Sequence, residues 1–287
     1  MVLTGLTFHG PEPYAAPAIE RDDYGRSGAR GAWEPVNIVS SNLEELGGMA
    51  RLGWDALRVG VRRPFGFRLF LDQLHELGVK SLTITNITLL FTGMVLAIQT
   101  AYSLAAYGGK SFVGDVVALS VVRELGPVLA ALVVAGRVGA GITAELGSMA
   151  VTEQVDALRA LAASPVKKLV VPRVWALLLG LPVLTILADA VALFGGLLMA
   201  VFELGQSRVY YMSHVFEALR PQDLVSGIGK TVFFAFFIGV IACYNGLNAR
   251  GGADGVGRAT TSTVVTSSIA VIISDFFLTK MFLVLFP

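Results

Sequence analysis

The chain has 287 residues, of which 54% are apolar and only 15% are charged, and its mean hydropathy is +0.69. A soluble domain carries about 25% charged residues, so this composition excludes an ordinary soluble protein and predicts long segments in contact with lipid. The net charge of +1 gives no reason to expect a nucleic-acid partner, and the single Cys243 excludes an intramolecular disulfide.

The first 40 residues are rich in Gly, Pro and charged residues and lack hydrophobic periodicity. This composition predicts a disordered tail over residues 1–40. The tail also lacks the apolar segment of a cleavable signal peptide, so we expect the spans themselves to direct membrane insertion.

Residues 41–78 are predicted to form an interfacial amphipathic helical region. Ser41 and Glu44 have the spacing of a capping box. Two apolar stripes follow at helical spacing, with basic residues beside the first: Leu43, Leu46, Ala50, Trp54, Leu57 and Val61; then Phe67, Phe70, Leu71, Leu74 and Leu77; with Arg51, Arg58, Arg62 and Arg63. A basic amphipathic helix next to a span lies most simply in the membrane interface, with its apolar face toward lipid. The alternative is a soluble helix, for which the chain offers little to pack against.

Five apolar stretches reach the roughly 20 residues that a helix needs to cross the hydrocarbon core. They cover residues 82–107, 116–147, 170–202, 225–246 and 263–286. We therefore predict an all-α integral membrane protein with a five-span domain over residues 79–287. The second and third stretches exceed the minimum, so these helices can tilt, bend or extend beyond the membrane. The first stretch could be broken near residues 102–109.

The distribution of Lys and Arg predicts the orientation, because cytoplasmic loops carry an excess of them. With a cytoplasmic N-terminus, the near-membrane cytoplasmic residues are Arg51, Arg58, Arg62, Arg63, Arg68, Lys80, Arg159, Lys167, Lys168, Arg173, Arg250 and Arg258. The outer side then holds only Lys110, Arg123, Arg208, Arg220 and Lys280. An odd number of spans places the C-terminus outside.

The sequence contains no motif typical of catalysis or metal binding. Gly109-Lys110-Ser111 is similar to the end of a phosphate-binding loop, but Leu104 stands where that loop needs glycine. His9, His75 and His214 are scattered along the chain, so no metal site is predicted. We expect neither catalytic residues nor a cofactor in this chain, and any energy must come from elsewhere.

Ionisable residues inside spans are costly and therefore informative. Arg123 and Glu124 lie near the predicted outer end of the second span, where they could line a cavity or form structural pairs. Four further residues lie deeper and are interpreted as an intramembrane charge network: Arg137, Glu145, Asp189 and Asp275. We expect Arg137 to pair with Asp189 or Asp275.

The loop after the second span is predicted to form a short cytoplasmic helix that ends before Pro165. Its apolar face would hold Val151, Val155, Leu158 and Leu161, and its polar face Glu153, Asp156 and Arg159. The acid-Ala-Leu run and the following Ser-Pro are loosely similar to the coupling loop that ABC permeases dock into their ATPase subunits. A surface helix without a partner is the alternative.

Several longer strings give the chain a specific resemblance. They are residues 119–132, 135–147, 152–154, 172–173, 181–182, 195–196, 258–261 and 275–279. On these strings, the chain from about residue 50 to residue 287 resembles the MlaE/YrbE family of ABC-transporter permeases, which work with MCE proteins in lipid transport. Residues 1–40 are not covered by the resemblance.

The resemblance implies a homodimeric permease of the bacterial inner membrane that carries phospholipid or a related lipid. A separate cytoplasmic ABC ATPase would bind ATP and Mg²⁺, and a periplasmic MCE-domain protein would stand above the permease. In some members a small STAS-domain protein binds the ATPase. Arg123 and Glu124 would line a lipid cavity between the subunits, and the segment from Glu153 to Leu161 would be the coupling helix.

Two other functions are compatible with the residues. A proton-coupled secondary transporter would use Asp189, Arg137 and Asp275 as a proton relay, although no inverted repeat is evident. A non-transporting membrane anchor for an MCE assembly would tolerate disruption of the short helix at Asp156 or Leu158. Neither the transport direction nor the lipid follows from the sequence.

Overall fold

The computed structural model describes residues 36–60, 67–105 and 108–285, with side chains placed for all of these except residues 36–42 and Lys110. The chain divides into a unit that ends at Ser41 and a unit that begins at Asn42, and every side-chain contact below lies in the second unit. The predicted tail lies outside the described residues except for its last five positions, which are helical. Val61, Arg62 and Arg63 also lie outside them.

Eleven α-helices account for most of the described residues, among which there is no strand. They are α1 (Val36–Gly60), α2 (Phe67–Leu77), α3 (Leu82–Ala105), α4 (Val113–Ser120), α5 (Gly126–Val134), α6 (Ala140–Val151), α7 (Gln154–Ala160), α8 (Val171–Phe202), α9 (Arg208–Ala218), α10 (Pro221–Leu247) and α11 (Gly252–Leu285).

Five helical stretches within the described residues are long and apolar enough to cross a membrane. They are Phe67–Ala105, Val113–Val151, Val166–Phe202, Pro221–Leu247 and Gly252–Leu285, here called the first to fifth spans. The predicted all-α integral membrane fold with five spans is thus confirmed. The helix of the fifth span, α11, begins eleven residues before the predicted stretch. Apolarity marks only the part of a helix that crosses lipid, and α11 continues through polar residues.

The third span contacts helices on several sides and packs most extensively along α3. Two glycines let these backbones approach closely. A Cβ on Gly93 would collide with the carbonyl oxygen of Ala192, and a Cβ on Gly195 would collide with that of Leu90. Helices in lipid associate through such van der Waals contact, because lipid tails provide no hydrophobic driving force between them.

Helix α1 presents three different faces. Three of its glycines lie against aromatic rings of the spans: Gly48 against Tyr244, Gly53 against Phe236, and Gly60 against Trp175. The predicted apolar stripe points away from the spans, since Leu43, Leu46 and Trp54 are each more than 60% exposed. Arg51 and Arg58 are exposed on the third face. These faces suit a helix bound to the bundle on one side and to an apolar environment on another, although its interfacial position stays a prediction.

The second span is interrupted twice. Its segments α4, α5 and α6 are joined by π-helical turns at Val121–Leu125 and Ala135–Gly139. Such turns are rare and often occur at functional sites. Arg123 and Glu124 lie in the first turn and Arg137 in the second. The ionisable residues of this span thus lie mostly where the helix departs from regular α geometry.

Candidate functional site

A cavity of about 450 Å³ opens between the second, fourth and fifth spans at their predicted outer ends. Its wall combines a polar and an apolar surface. The polar surface consists of Ser120, Arg123, Glu124, Arg220, Gln222, Asp223, Ser226 and Thr279, and the apolar surface of Leu119, Phe282 and Leu283. The structure therefore places Arg123 and Glu124, the two cavity candidates from the sequence, side by side in this wall.

Arg123 is held by a nearly buried carboxylate. Its Nε donates to Asp223 Oδ1 at 2.6 Å, and the Arg123 side chain remains 42% exposed. The other carboxylate oxygen of Asp223 accepts the backbone N–H of Arg220 at 2.9 Å, which caps the start of α10. This carboxylate thus fixes both the guanidinium and the corner before α10, while part of the guanidinium faces the cavity.

Behind the cavity wall lies a fully buried lysine, Lys230. Its Nζ donates to Glu124 Oε2 at 2.7 Å and to Thr279 Oγ1 at 2.6 Å, and lies 3.2 Å from Asp275 Oδ1. A buried ammonium requires such partners, because its desolvation is otherwise uncompensated. We call Glu124, Lys230, Asp275 and Thr279 the outer cluster; it joins the second, fourth and fifth spans.

A proline explains one further contact of this lysine. Pro127 has no N–H, so it cannot make the usual helical hydrogen bond to the carbonyl of Arg123 four residues earlier. Lys230 Nζ instead donates to this carbonyl oxygen at 3.1 Å. The lysine therefore satisfies both a side chain and a main-chain group of the interrupted helix.

The charges of the cavity wall alternate in sign. The Glu124 side chain is 41% exposed beside the partly exposed guanidinium of Arg123, and Arg220 is also exposed. This arrangement can bind a headgroup that carries both charges, with apolar atoms packing against Phe282 or Leu283. No group of three or more potential metal ligands occurs among the described residues, and the wall offers hydrogen bonds and charge.

The deeper ionisable residues do not form one network, so the predicted pairing of Arg137 with Asp189 or Asp275 is wrong. Arg137 Nη1 donates to Ser81 Oγ at 2.6 Å, because the second π-helical turn directs it toward the start of α3. Asp275 contacts Lys230 instead. Asp189 packs against Gly126, and its Oδ1 has no hydrogen-bond partner among the described residues.

Glu145, the fourth member of the predicted network, pairs near the predicted cytoplasmic end. Its Oε1 lies 2.7 Å from Nη2 of Arg173, which is almost entirely buried and also donates to the carbonyl of Leu169. The sequence placed Arg173 only among the basic residues of the cytoplasmic side. This ion pair instead joins α6 to the start of α8.

Two residues of the site escaped the sequence analysis. Lys230 is a lone lysine within the fourth apolar stretch, and a lone intramembrane charge was the available signal. Asp223 follows Arg220-Pro221 at the third helical position, where an acidic residue is typical of a cap. Their partners in the second span, Arg123 and Glu124, lie about a hundred residues away in the chain, so sequence spacing gave no hint of the pairing.

The short helix predicted after the second span is α7, flanked by two residues in the left-handed region, Glu153 with φ 59° and Ala162 with φ 55°. Val155 is buried and Leu158 is half-buried, but Leu161 lies beyond the helix end and is 78% exposed. Val151, the first residue of the predicted apolar face, ends α6 and does not lie on α7, so that face is wrong at its first and last positions. Asp156 and Arg159 form an exposed ion pair at 2.8 Å.

The family of this chain follows from its similarity to known proteins. The family model described as Permease MlaE matches residues 70–281, well over half of the chain. This chain belongs to the MlaE permease family. Among its relatives, a probable ABC transporter permease protein of Rickettsia felis is 42% identical over 239 residues, which cover 83% of this chain and 92% of that protein.

Two further relatives carry more specific names. The intermembrane phospholipid transport system permease protein MlaE of Haemophilus influenzae is 40% identical over 214 residues, 74% of this chain and 82% of that protein. The chloroplastic protein TRIGALACTOSYLDIACYLGLYCEROL 1 of Arabidopsis thaliana is 42% identical over 216 residues, 75% of this chain and 62% of that protein. The chain is thus a multi-pass permease subunit of an ABC transporter, and the outer cluster and α7 lie within the residues that the family model matches.

Proposed function

We propose that this permease moves phospholipids or related lipids between the bacterial inner membrane and a periplasmic MCE-domain protein, powered by a separate ATPase. The observation that carries the proposal is the cavity wall, where Arg123 and Glu124 stand beside Leu119, Phe282 and Leu283. The phospholipid named for the Haemophilus influenzae relative supports the same substrate class.

The cost of exposing lipid tails explains why such a wall is useful. Each methylene transferred to water costs about 0.8 kcal/mol. Two chains of about sixteen carbons would therefore cost on the order of 25 kcal/mol if they were fully exposed. A transport path must shelter the tails continuously and still accept a charged headgroup, and a cavity with one polar and one apolar surface meets both requirements.

The assembly needs three partners. A second copy would bind along α11, whose outward residues Val265, Ile269, Ile272 and Phe276 are each at least half exposed, and would cover the cavity beside Thr279. A cytoplasmic ATPase would dock on α7, where Glu153, Asp156, Arg159 and Leu161 are exposed. The MCE-domain protein would receive or deliver lipid at the outer end.

The cavity assignment is tested by lipid crosslinking and transfer in the complex isolated from its native membrane. Arg123→Ala and Glu124→Ala, made separately and together, are expected to reduce crosslinking of a photoreactive phosphatidylethanolamine. Arg208→Ala with Glu217→Ala, an exposed pair on α9, is the matched control and should leave crosslinking unchanged. Wild-type crosslinking in the cavity variants would refute the assignment.

The ATPase partner is tested at the exposed end of the coupling helix. Leu161→Ala removes an apolar side chain that is 78% exposed, so it should leave thermal stability unchanged but lower the amount of ATPase that co-purifies. Val209→Ala, at an 80% exposed residue on the opposite side, is the control. Mass spectrometry of the native complex that detects no ATPase would overturn the proposal.

The alternative functions have less support. The proton relay of a secondary transporter would need Asp189, Arg137 and Asp275 to communicate, but each has different neighbours in the structure. A non-transporting anchor would retain its function when α7 is disrupted. If the MCE assembly still transfers lipid when this chain carries Leu158→Asp, the result would favour an anchor that takes no part in the transfer itself.

A further inference from the structure

A second buried polar cluster joins the same three spans at their predicted cytoplasmic halves. Thr143 Oγ1 lies 3.1 Å from the carbonyl oxygen of Ala242 and 2.9 Å from Thr263 Oγ1. Asn245 Nδ2 donates to Thr263 Oγ1 at 2.9 Å. Both threonines are fully buried. We call Thr143, Asn245 and Thr263 the inner cluster; like the outer cluster, it takes one residue or more from the second, fourth and fifth spans.

Two uninterrupted helices connect the inner and outer clusters. In α10, Asn245 lies fifteen residues from Lys230, which corresponds to about 22 Å of helix. In α11, Thr263 lies sixteen residues from Thr279, which corresponds to about 24 Å. Each of these two helices therefore contributes residues to both clusters.

The second span connects the clusters less rigidly. Between Glu124 and Thr143 it contains the π-helical turn Ala135–Gly139. Gly136 of this turn faces open space, whereas Ala135, Val138 and Gly139 of the same turn are buried. A displacement that starts in α6 would therefore reach the cavity more directly through α10 and α11 than along the second span itself.

Close packing surrounds the inner cluster at the end of α6 that leads to α7. A Cβ on Gly147 of α6 would lie 3.2 Å from atoms of Ala249 and Val256, and a Cβ on Gly246 of α10 would lie 2.7 Å from Leu146. The pair of Glu145 and Arg173 fixes α6 on another side. Because α7 begins three residues after α6 ends, a force on α7 acts on this packed block.

We propose that Thr143 and Thr263 are positioning residues that link the coupling helix to the outer cavity. Their hydroxyl groups join α6 to α10 and α11, which carry the displacement to Lys230 and Thr279 and so move Glu124. This inference rests on the proposed function, since it assigns a route for the coupling between the ATPase and the lipid cavity.

The test compares Thr143→Val and Thr263→Val with Thr143→Ser and Thr263→Ser in the isolated complex. Valine keeps the shape and removes the hydroxyl, whereas serine keeps the hydroxyl. Thr185→Val is the matched control, because Thr185 is equally buried but its hydroxyl bonds the carbonyl of Leu181 in its own helix and no other helix among the described residues. ATP hydrolysis and transfer of NBD-labelled phosphatidylethanolamine are measured on the same samples, with hydrogen–deuterium exchange along α10 and α11.

The valine variants are expected to hydrolyse ATP normally but to transfer about fivefold less lipid per ATP, with serine restoring the ratio. Exchange should also change around Lys230 and Thr279, at the far end of both helices. Unchanged exchange around Lys230 and Thr279, together with the wild-type ratio of lipid transferred to ATP hydrolysed, would overturn the inference. A second outcome separates the linkage from the proposed function. If the wild-type complex transfers no lipid but the valine variants still change exchange around Lys230 and Thr279, the proposed function is refuted and the linkage is supported.

Discussion

Lys230 is buried against two carboxylates, and removal of its charge would leave both without their cation. Lys230→Met should lower the free energy of unfolding by about 3 kcal/mol, at the low end for a broken buried pair because Glu124 can still reach solvent. Thermal unfolding of the purified protein in detergent measures this change.

Two comparisons separate the charge effect from a general packing effect. Lys280→Met makes the same substitution at an exposed position of α11 and should change stability little. Lys230→Met combined with Glu124→Gln and Asp275→Asn removes the uncompensated charges, so it should recover part of the lost stability. Equal losses in the single and triple variants would contradict the ionic explanation.

The left-handed backbone at Glu153 and Ala162 leads to another prediction. A residue with a Cβ pays about 1 kcal/mol in this region, and glycine does not. Ala162→Gly should therefore stabilise the α7 segment or leave it unchanged. Ala163→Gly lies next to it without a positive φ and should destabilise the segment. Resistance of the loop to limited proteolysis measures both, and equal behaviour of the two variants would contradict the assigned conformation.

At the level of elements, the sequence predicted the helices far better than their contacts. The five spans follow from apolar length, which the bilayer thickness dictates. The partner of Arg137 depends on the rotation of the second span, and two π-helical turns change that rotation without any mark in the apolar pattern. Arg123 and Glu124 could be chosen as cavity residues, whereas the partners of Lys230 and Asp223 in the second span could be found only once distant helices were placed together.

The contact of α1 with the spans depends on small residues at defined positions. Gly60→Ala would place a Cβ against the Trp175 indole, so it should destabilise the attachment of α1 by about 1–3 kcal/mol through overpacking. Gly47→Ala adds the same methyl group where no atom lies within 4 Å, and helix propensity should make it neutral or stabilising. Trypsin cleavage at Arg51 and Arg58 reports the release of α1. Equal cleavage of the two variants would argue against this packing.

For the whole molecule, the orientation in the membrane is the prediction with the widest consequences. An excess of Lys and Arg predicts a cytoplasmic N-terminus, and five spans then place Pro287 outside. Alkaline phosphatase fused after Pro287 should be active, because it folds only outside the cytoplasm. Green fluorescent protein at the same site should be dark, because it folds only in the cytoplasm. The reverse pattern would turn the cavity toward the cytoplasm and α7 away from it.

The two π-helical turns of the second span also restrict how this protein can change during evolution. Each residue of a helix turns the chain by about 100°, so a single deletion within Val121–Leu125 would rotate the whole of α5 relative to α4. A second deletion within Ala135–Gly139 would rotate α6 in the same sense. Gaps and insertions in this span should therefore be far rarer among homologous genes than substitutions, and a gap there would indicate a permease with a differently built cavity.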